Sequence, residues 1–329
     1  MTLLYTRPMM RSLIVFVFLA AATLAQAQYP LRSIQLVVPY SAASDADLAA
    51  RNLAQHASRY LNGQTIVVVN QPGASGAIGT MTVRNAAPDG YTLLLSRIAS
   101  QVILPATDTK TPYRWNDFTL LATLDTNPFV CAVKSDAPYA SMKELIDDIR
   151  KRPGQLNFAT VGAGTIQNFG PQYLLSLVSL SKDAAVGIPY KGSAEITVAL
   201  IGSHVQFACS NLGALLGQFR AGTLRPLMTT SSEPLKDLPD VPTARKLGWP
   251  EMERLAAWSA LAGPPQLPRE VVERWTDALA KLSKDAGWLA GNEKLGGIPA
   301  IRTPAETEKF IADQYQTYER LAERLGLRQ

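Results

Sequence analysis

Short apolar runs alternate along the chain with segments in which apolar residues recur every three or four positions. The runs SIQLVVPY, QTIVVVN, GYTLLLS, LNFATV, VGIPY and HVQFACS have the length of strands and are bounded by turn residues. Helical spacing follows most of them and is clear over 268–284 and 304–325. Strands that are each followed by a helix predict an α/β protein with parallel sheets.

The alternation occurs twice, and the second round begins after a long connection around Leu124–Val133. FTLLATL and PFVCAVK are predicted as two separate strands. A chain of 329 residues is long for a single core and has room for two domains. We expect one lobe from residues 28–125 together with 254–329 and a second lobe from residues 126–253, joined by two crossings. The second crossing is the less well defined, because the run TLRPLMTTS fits either sheet.

The first 27 residues have the pattern of a secretory signal peptide. Arg7 and Arg11 precede an apolar run over 12–25, and the run ends in the small-residue sequence AQA. The alternative is a membrane anchor, but about 14 apolar residues are too few to cross a hydrocarbon core of about 30 Å. The sequence therefore predicts cleavage before Gln28 and a periplasmic location.

Charge and cysteine content exclude several kinds of site. The formal net charge is +5, but basic residues form no run and do not interleave with aromatic residues, so no nucleic-acid partner is expected. Cys131 and Cys209 lie in no metal-binding spacing, and His56 and His204 are the only histidines. The residues thus indicate no metal, no cofactor and no Ser-His-acid triad. Export would allow a disulfide between the two cysteines but does not require one.

Small residues are concentrated in the turns that follow the predicted strands. These turns are SAASD (Ser41–Asp45), PGASGAIG (Pro72–Gly79), SRIAS (Ser96–Ser100), VGAGT (Val161–Thr165), YKGS (Tyr190–Ser193) and CSNLG (Cys209–Gly213). None has the glycine and lysine spacing of a nucleotide-binding loop. In open α/β sheets ligands bind at the carboxyl ends of strands, where helix N-termini present free N–H groups. The turns therefore predict a cleft lined by backbone donors.

Several of these segments, taken in order, resemble one family. PYSAASDADLAAR, NQPGASGAIG, APDGYTLLL, IPYKGSAEITVALIGSHVQF and LPDVPTARKLG are similar to segments of the substrate-binding proteins of tripartite tricarboxylate transporters. The resemblance implies a two-lobed periplasmic binding protein of type II-like fold, with two Rossmann-like lobes joined by a two-crossing hinge. It also implies a monomeric receptor, not an enzyme, that captures a small organic carboxylate and delivers it to membrane permease subunits.

The resemblance and the position of residues at the ends of predicted strands together indicate where the ligand binds. The expected ligand-binding residues are Tyr40, Ser41, Ala43, Ser44, Asp47, Arg97, Ile98, Gly162, Gly164, Thr165, Ile166, Tyr190 and Ser210. Some positions depart from the family pattern. Ala43 and Ser44 stand where glycines are usual, and Ser210 stands where many members have Asp. Arg97, Ile98 and Ile166 stand where small polar residues are usual.

Alternatives remain open for the charged residues. Asp47 either contacts the ligand or only caps the following helix, and Asp45 is expected to be solvated. Arg97 either binds a ligand carboxylate or pairs with an acidic residue of the protein. Together with Ile98 and Ile166, Arg97 suggests an aromatic or aliphatic mono- or dicarboxylate. The alternative functions are a receptor that presents its ligand to a signalling system and, on weaker grounds, an exported hydrolase.

Overall fold

The computed structural model describes residues 29–162 and 164–328. The predicted signal peptide, residues 1–27, lies outside the described residues. The strands are β1 (Ile34–Val38), β2 (Ile66–Asn70), β3 (Thr92–Arg97), β4 (Thr119–Lys134), β5 (Leu156–Thr160), β6 (Ala185–Pro189), β7 (Phe207–Asn211), β8 (Leu224–Thr229), β9 (Ala256–Gly263) and β10 (Ile298–Pro299).

Ten α-helices are found in the described part of the chain. They are α1 (Asp45–Ala57), α2 (Ala77–Arg84), α3 (Leu104–Thr107), α4 (Met142–Lys151), α5 (Ile166–Leu177), α6 (Ser193–Ile201), α7 (Leu212–Arg220), α8 (Arg269–Leu282), α9 (Ala286–Lys294) and α10 (Pro304–Arg324). A π-helical turn, Ala99–Ile103, links β3 to α3. Short 3₁₀ helices lie at Ser58–Tyr60, Ala74–Gly76, Lys182–Ala184 and Pro250–Arg254.

The strands form one mixed sheet with two parallel ends. The order is β2-β1-β3-β9-β4-β7-β5-β6, with β8 and β10 paired to β4 off this path. Strands β1, β2 and β3 are parallel to one another, and so are β5, β6 and β7. The central pairs made by β4 with β7, β8 and β9 are antiparallel. The predicted parallel pairing is therefore confirmed at the two ends of the sheet, and the antiparallel centre was not predicted.

Helices cover both faces of the sheet, as the strand residues show. On β1, Leu36 and Val38 pack with helices α1 and α8 in one apolar cluster. The intervening residue Val37 packs in another cluster together with Ile311 and Tyr318 of α10. Successive side chains of a strand point to opposite faces, so a strand that is apolar at every position is buried on both.

Strand β4 takes the place of the two predicted strands FTLLATL and PFVCAVK. It is continuous over 16 residues. Its first part pairs with β9 as far as Pro128, and its last part, from Phe129 onward, pairs with β7 and β8. The polar sequence DTNP suggests a turn, but Asp125 and Thr126 pair with β10 on one side and with β9 on the other. Pairing on both sides keeps this polar segment extended.

The two cysteines are joined across the strands β4 and β7. Cys131 and Cys209 are directly opposite each other in the antiparallel register. They form a disulfide with a Cα–Cα distance of 3.9 Å. The bridge that the sequence allowed is therefore present, and it ties the central strand to the second parallel end of the sheet.

Candidate functional site

A cleft of about 370 Å³ opens between the two parallel ends of the sheet. Its walls come from the segments that follow β1, β3, β5, β6 and β7, so the carboxyl ends of both sets of parallel strands meet there. This is where open α/β sheets place their ligands. The lining residues are Tyr40, Ala42, Ala43, Ser44, Asp45, Ala46, Arg97, Ile98, Ala99, Val161, Thr165, Ile166, Gln167, Lys191, Gly192, Ser193, Ala194, Asn211 and Ala257.

The cleft contains part of the predicted ligand-binding set. The predicted residues on its surface are Tyr40, Ala43, Ser44, Arg97, Ile98, Thr165 and Ile166. Ser41, Gly162 and Gly164 lie in the flanking turns but not on the cleft surface. Tyr190 instead packs beside an apolar cluster formed with α6, and Ser210 is fully buried.

Hydrogen bonds within the protein fix the first loop of the cleft. Ser44 is the N-cap of α1, and its side chain accepts from the Asp47 N–H. Asp47 lies in the first turn, where it accepts from the Ala43 N–H at 2.9 Å and from Asn70 at 3.0 Å. Arg51 also donates to Asp47 at 2.9 Å. Because its oxygens are occupied, we assign Asp47 to loop support instead of helix capping or ligand contact.

The hydrogen bond to Asp47 stabilises an unusual backbone conformation at Ala43. Its φ angle is +61°, a left-handed conformation that favours glycine. An alanine there costs about 1–2 kcal/mol, and the bond from its N–H to Asp47 helps to hold it. The loop therefore keeps a glycine-like shape although Ala43 stands where the family pattern has glycine.

We expect Asp47→Asn to destabilise the protein at pH 7 by about 1–3 kcal/mol, since it breaks charged hydrogen bonds in a buried site. Burial alone would raise the pKa of Asp47, but hydrogen bonds from Arg51, Asn70 and Ala43 outweigh it and the pKa is lowered. A lowered folded-state pKa gives stability that is complete above the unfolded pKa and is lost as the pH falls through the folded one. Urea titrations should therefore show a difference in the free energy of unfolding between Asp47→Asn and the native protein at pH 7, and this difference should disappear in acid. A constant difference down to pH 2 would contradict this.

Arg97 is the buried cation of the cleft. It ends β3 and is only 8% exposed. Its Nη1 donates to Ser259 Oγ at 2.6 Å, and Ser259 donates to Asp125 at 3.1 Å. Burial raises the pKa of Asp125, although the nearby Arg97 and hydrogen bonds from Ser259 and Asn127 oppose the shift. A guanidinium has five N–H donors, so those not used by Ser259 can hold a carboxylate in the cleft.

The opposite wall presents two helix N-termini. Thr165 precedes α5 and Gly192 precedes α6, and neither of these described positions provides a side-chain cap. The first N–H groups of a helix and its positive dipole end favour anions. Ile98 and Ile166 add apolar surface beside them. The arrangement suits a ligand that has an apolar body and negatively charged ends.

Asp45, Asn211 and Lys191 are polar residues of the cleft that the sequence reasoning did not place there. Asn211 Nδ2 donates to Asp45 Oδ2 at 3.2 Å, which links the first loop to the end of β7. Asp45 is exposed, as expected, but it lines the cleft. The sequence could have indicated Asn211, because successive side chains of a strand alternate and Ser210 and Asn211 therefore point to opposite sides of β7.

The described residues hold no group of three or more His, Cys, Asp or Glu side chains that could bind a metal ion. Within the same residues, no helix is both long and apolar enough to cross a membrane.

Fold and cleft together define a two-lobed α/β periplasmic binding protein. The model of the tripartite tricarboxylate transporter family receptor matches residues 49–327. The chain belongs to this family, whose members are substrate-binding receptors and not enzymes. The resemblance noted in the sequence is therefore confirmed.

Individual relatives agree with this assignment. Protein BugT of Bordetella pertussis is 32% identical over 305 residues, covering 91% of this chain and 90% of the relative. A solved structure described as a periplasmic transporter has a TM-score of 0.82 at 27% identity, covering 91% of this chain and 99% of that one. The R. palustris protein Rpa4515 with adipate has a TM-score of 0.81 at 25% identity, covering 91% and 98% of the two chains.

Proposed function

We propose that the protein captures a small organic carboxylate in its cleft and delivers it to a permease of the tripartite tricarboxylate type. The observation that carries the proposal is Arg97, a buried guanidinium that lines the same cleft as the N-termini of α5 and α6, neither of which has a side-chain cap. The adipate complex of a relative supports this choice of ligand class. Ordered donors on both sides can hold both ends of a short diacid.

The lobes and the cellular route are part of the same proposal. Residues 28–125 and 254–329 would form one lobe and residues 126–253 the other, with closure around the ligand producing the loaded form. The pairing of β4 with β9 before Phe129 and with β7 and β8 after it supports this division. Removal of the leader before Gln28 would release a monomeric receptor into the periplasm. Mass spectrometry of the exported protein tests the cleavage point.

A thermal-shift screen of the mature protein tests the ligand class directly. Mono-, di- and tricarboxylates, aliphatic and aromatic, are added at increasing concentration. A ligand that binds only the folded protein raises the apparent stability by RT ln(1 + [L]/Kd), which is about 2.7 kcal/mol at 100 times the Kd. If no carboxylate shifts the transition, the proposed function fails. Genes that neighbour the coding sequence distinguish transport from presentation of the ligand to a signalling system.

Citrate should bind less tightly than aromatic or aliphatic mono- and dicarboxylates. A third carboxylate would have to lose water beside Ile98 and Ile166 without a buried cation of its own, and an unpaired buried charge is costly. Competition against a bound dicarboxylate, measured by calorimetry, checks the order. Tight citrate binding with no response to adipate or benzoate would contradict it.

A further inference from the structure

A buried pair of opposite charges lies beside the cleft. Arg97 is 8% exposed and Asp125 is 3% exposed. The hydroxyl group of Ser259 joins them, because it accepts from Arg97 Nη1 at 2.6 Å and donates to Asp125 Oδ1 at 3.1 Å. The three residues belong to β3, β4 and β9, and β9 pairs with both other strands, so the sheet fixes their spacing. Each charge therefore has a compensating charge close by.

An anion bound by Arg97 would upset this balance. A carboxylate held by the remaining N–H donors of Arg97 adds a second negative charge to a single buried cation. An uncompensated buried charge is costly, and a nearby like charge favours the neutral form of a carboxyl group. Burial already raises the pKa of Asp125. A proton on Asp125 is therefore the local means of restoring neutrality.

The hydrogen bonds of Asp125 permit a protonated carboxyl group. Its Oδ1 accepts from both Ser259 Oγ and Asn127 Nδ2, at 3.1 and 3.2 Å. A proton on Oδ2 leaves both of these bonds in place. The bond from Arg97 to Ser259 is then kept as well, so the guanidinium stays in position while Asp125 loses its charge.

A small cavity adjoins Asp125 and shares part of its wall with the cleft. Its volume is about 20 Å³, which is enough for one water molecule. Arg97 and Asp45 line both this cavity and the ligand cleft. A proton from solvent thus has a short route to Asp125.

The surroundings of Asp125 contain one cation and one further acid. Arg97 on β3 favours the ionised form of Asp125, whereas Asp45 on α1, which lines the same cavity, favours the neutral form. The remaining neighbours are uncharged: Asn127 on β4, Ser259 on β9, Ile298 and Pro299 on β10, and Asn292 on α9. An anion on Arg97 would offset the one cation among these groups.

We propose that binding of an anion by Arg97 is coupled to uptake of a proton by Asp125, so that Asp125 sets the pH range in which the cleft captures its ligand. The proton comes from solvent and forms an O–H bond at Oδ2, and no other covalent bond changes. The inference rests on the proposed function, since it requires Arg97 to hold the ligand carboxylate. A complex that gains a proton on forming is favoured in acid, so the affinity should fall as the pH rises.

Calorimetry in paired buffers measures the proton directly. Adipate and benzoate are titrated into the native protein from about pH 6, where simple carboxylic acids are ionised, to about pH 9. Two buffers with different enthalpies of ionisation are used at each pH, and the difference in the observed heat gives the number of protons taken up. We expect about 0.3 to 1 proton per anion within this range. In the same interval the association constant should fall with pH, by at most about tenfold per pH unit.

Asp125→Asn removes the titrating group and nearly preserves the size of the side chain. This variant should bind the anion without proton uptake, and its association constant should stay within about twofold across the range. Asp313→Asn is the matched control, since it removes an acidic charge from an exposed position on α10, away from the cleft. The control should take up as many protons as the native protein. Circular dichroism of each variant confirms the fold.

The outcomes separate this inference from the proposed function. Equal proton uptake by the native protein and Asp125→Asn would overturn the inference alone. If Asp125→Asn does not fold, the native protein decides, because binding without proton uptake at every pH also overturns it. Failure of both anions to bind would overturn the inference together with the proposed function.

Discussion

Arg97→Ala is expected to weaken carboxylate binding by about 1.5–3 kcal/mol, or about 10- to 150-fold, because it removes charged hydrogen bonds from a buried position. The carboxylate affinity of Arg97→Lys should fall between those of Arg97→Ala and the native protein. It keeps the charge but loses the planar fork that holds a carboxylate by two bonds. Calorimetry with whichever carboxylate binds best in the thermal-shift screen gives the dissociation constants.

Two further measurements make the Arg97 result interpretable. Arg269→Ala removes the same charge from an exposed position on α8 and should leave the affinity unchanged. Removing Arg97 also takes away the cation that opposes the raised pKa of Asp125, so thermal melts must establish that the variants fold. An Arg97→Ala protein that melts normally and binds its carboxylate with native affinity would contradict the role given to Arg97.

Loss of the Cys131–Cys209 disulfide is expected to reduce stability by about 2–4 kcal/mol, since the bridge closes a long loop in the unfolded chain. The two residues are 78 positions apart. Replacing both with alanine, followed by urea unfolding, measures the effect. A reducing agent should lower the stability of the native protein to that of the double variant and leave the variant itself unaffected. Labelling of two free thiols in unfolded, unreduced protein would rule the bridge out.

The regular elements of the fold were predictable, because their burial patterns are simple. The helices predicted over 268–284 and 304–325 are found as α8 (Arg269–Leu282) and α10 (Pro304–Arg324). Leu36, Val37 and Val38 carry the pattern of a strand buried on both faces. The pairing partners of β4 were not predictable. The segment from Asp125 to Pro128 has the local composition of a turn, and only strands distant in sequence keep it extended.

The location of the cleft could be predicted from the sequence, but its lining residues could be predicted only in part. Arg97 was identified from the sequence because a cation at the end of a buried strand is costly unless it is exposed or paired. For Asp47 the sequence left ligand contact and helix capping as alternatives, and the capping alternative is wrong because Ser44, three positions earlier, is the N-cap. Asn211 was missed because its significance comes from Asp45, which is 166 residues away in the sequence.

The continuity of β4 has a consequence for protein engineering. Because this strand contributes hydrogen-bonding edges to both parts of the sheet, cutting the chain near Asp125 would leave each fragment with exposed backbone donors and acceptors. Exposed strand edges promote pairing between molecules. Neither part is therefore a suitable stand-alone expression target. A fluorescent reporter of ligand binding is better inserted in an exposed surface turn such as residues 152–154 than at the strand that both parts share.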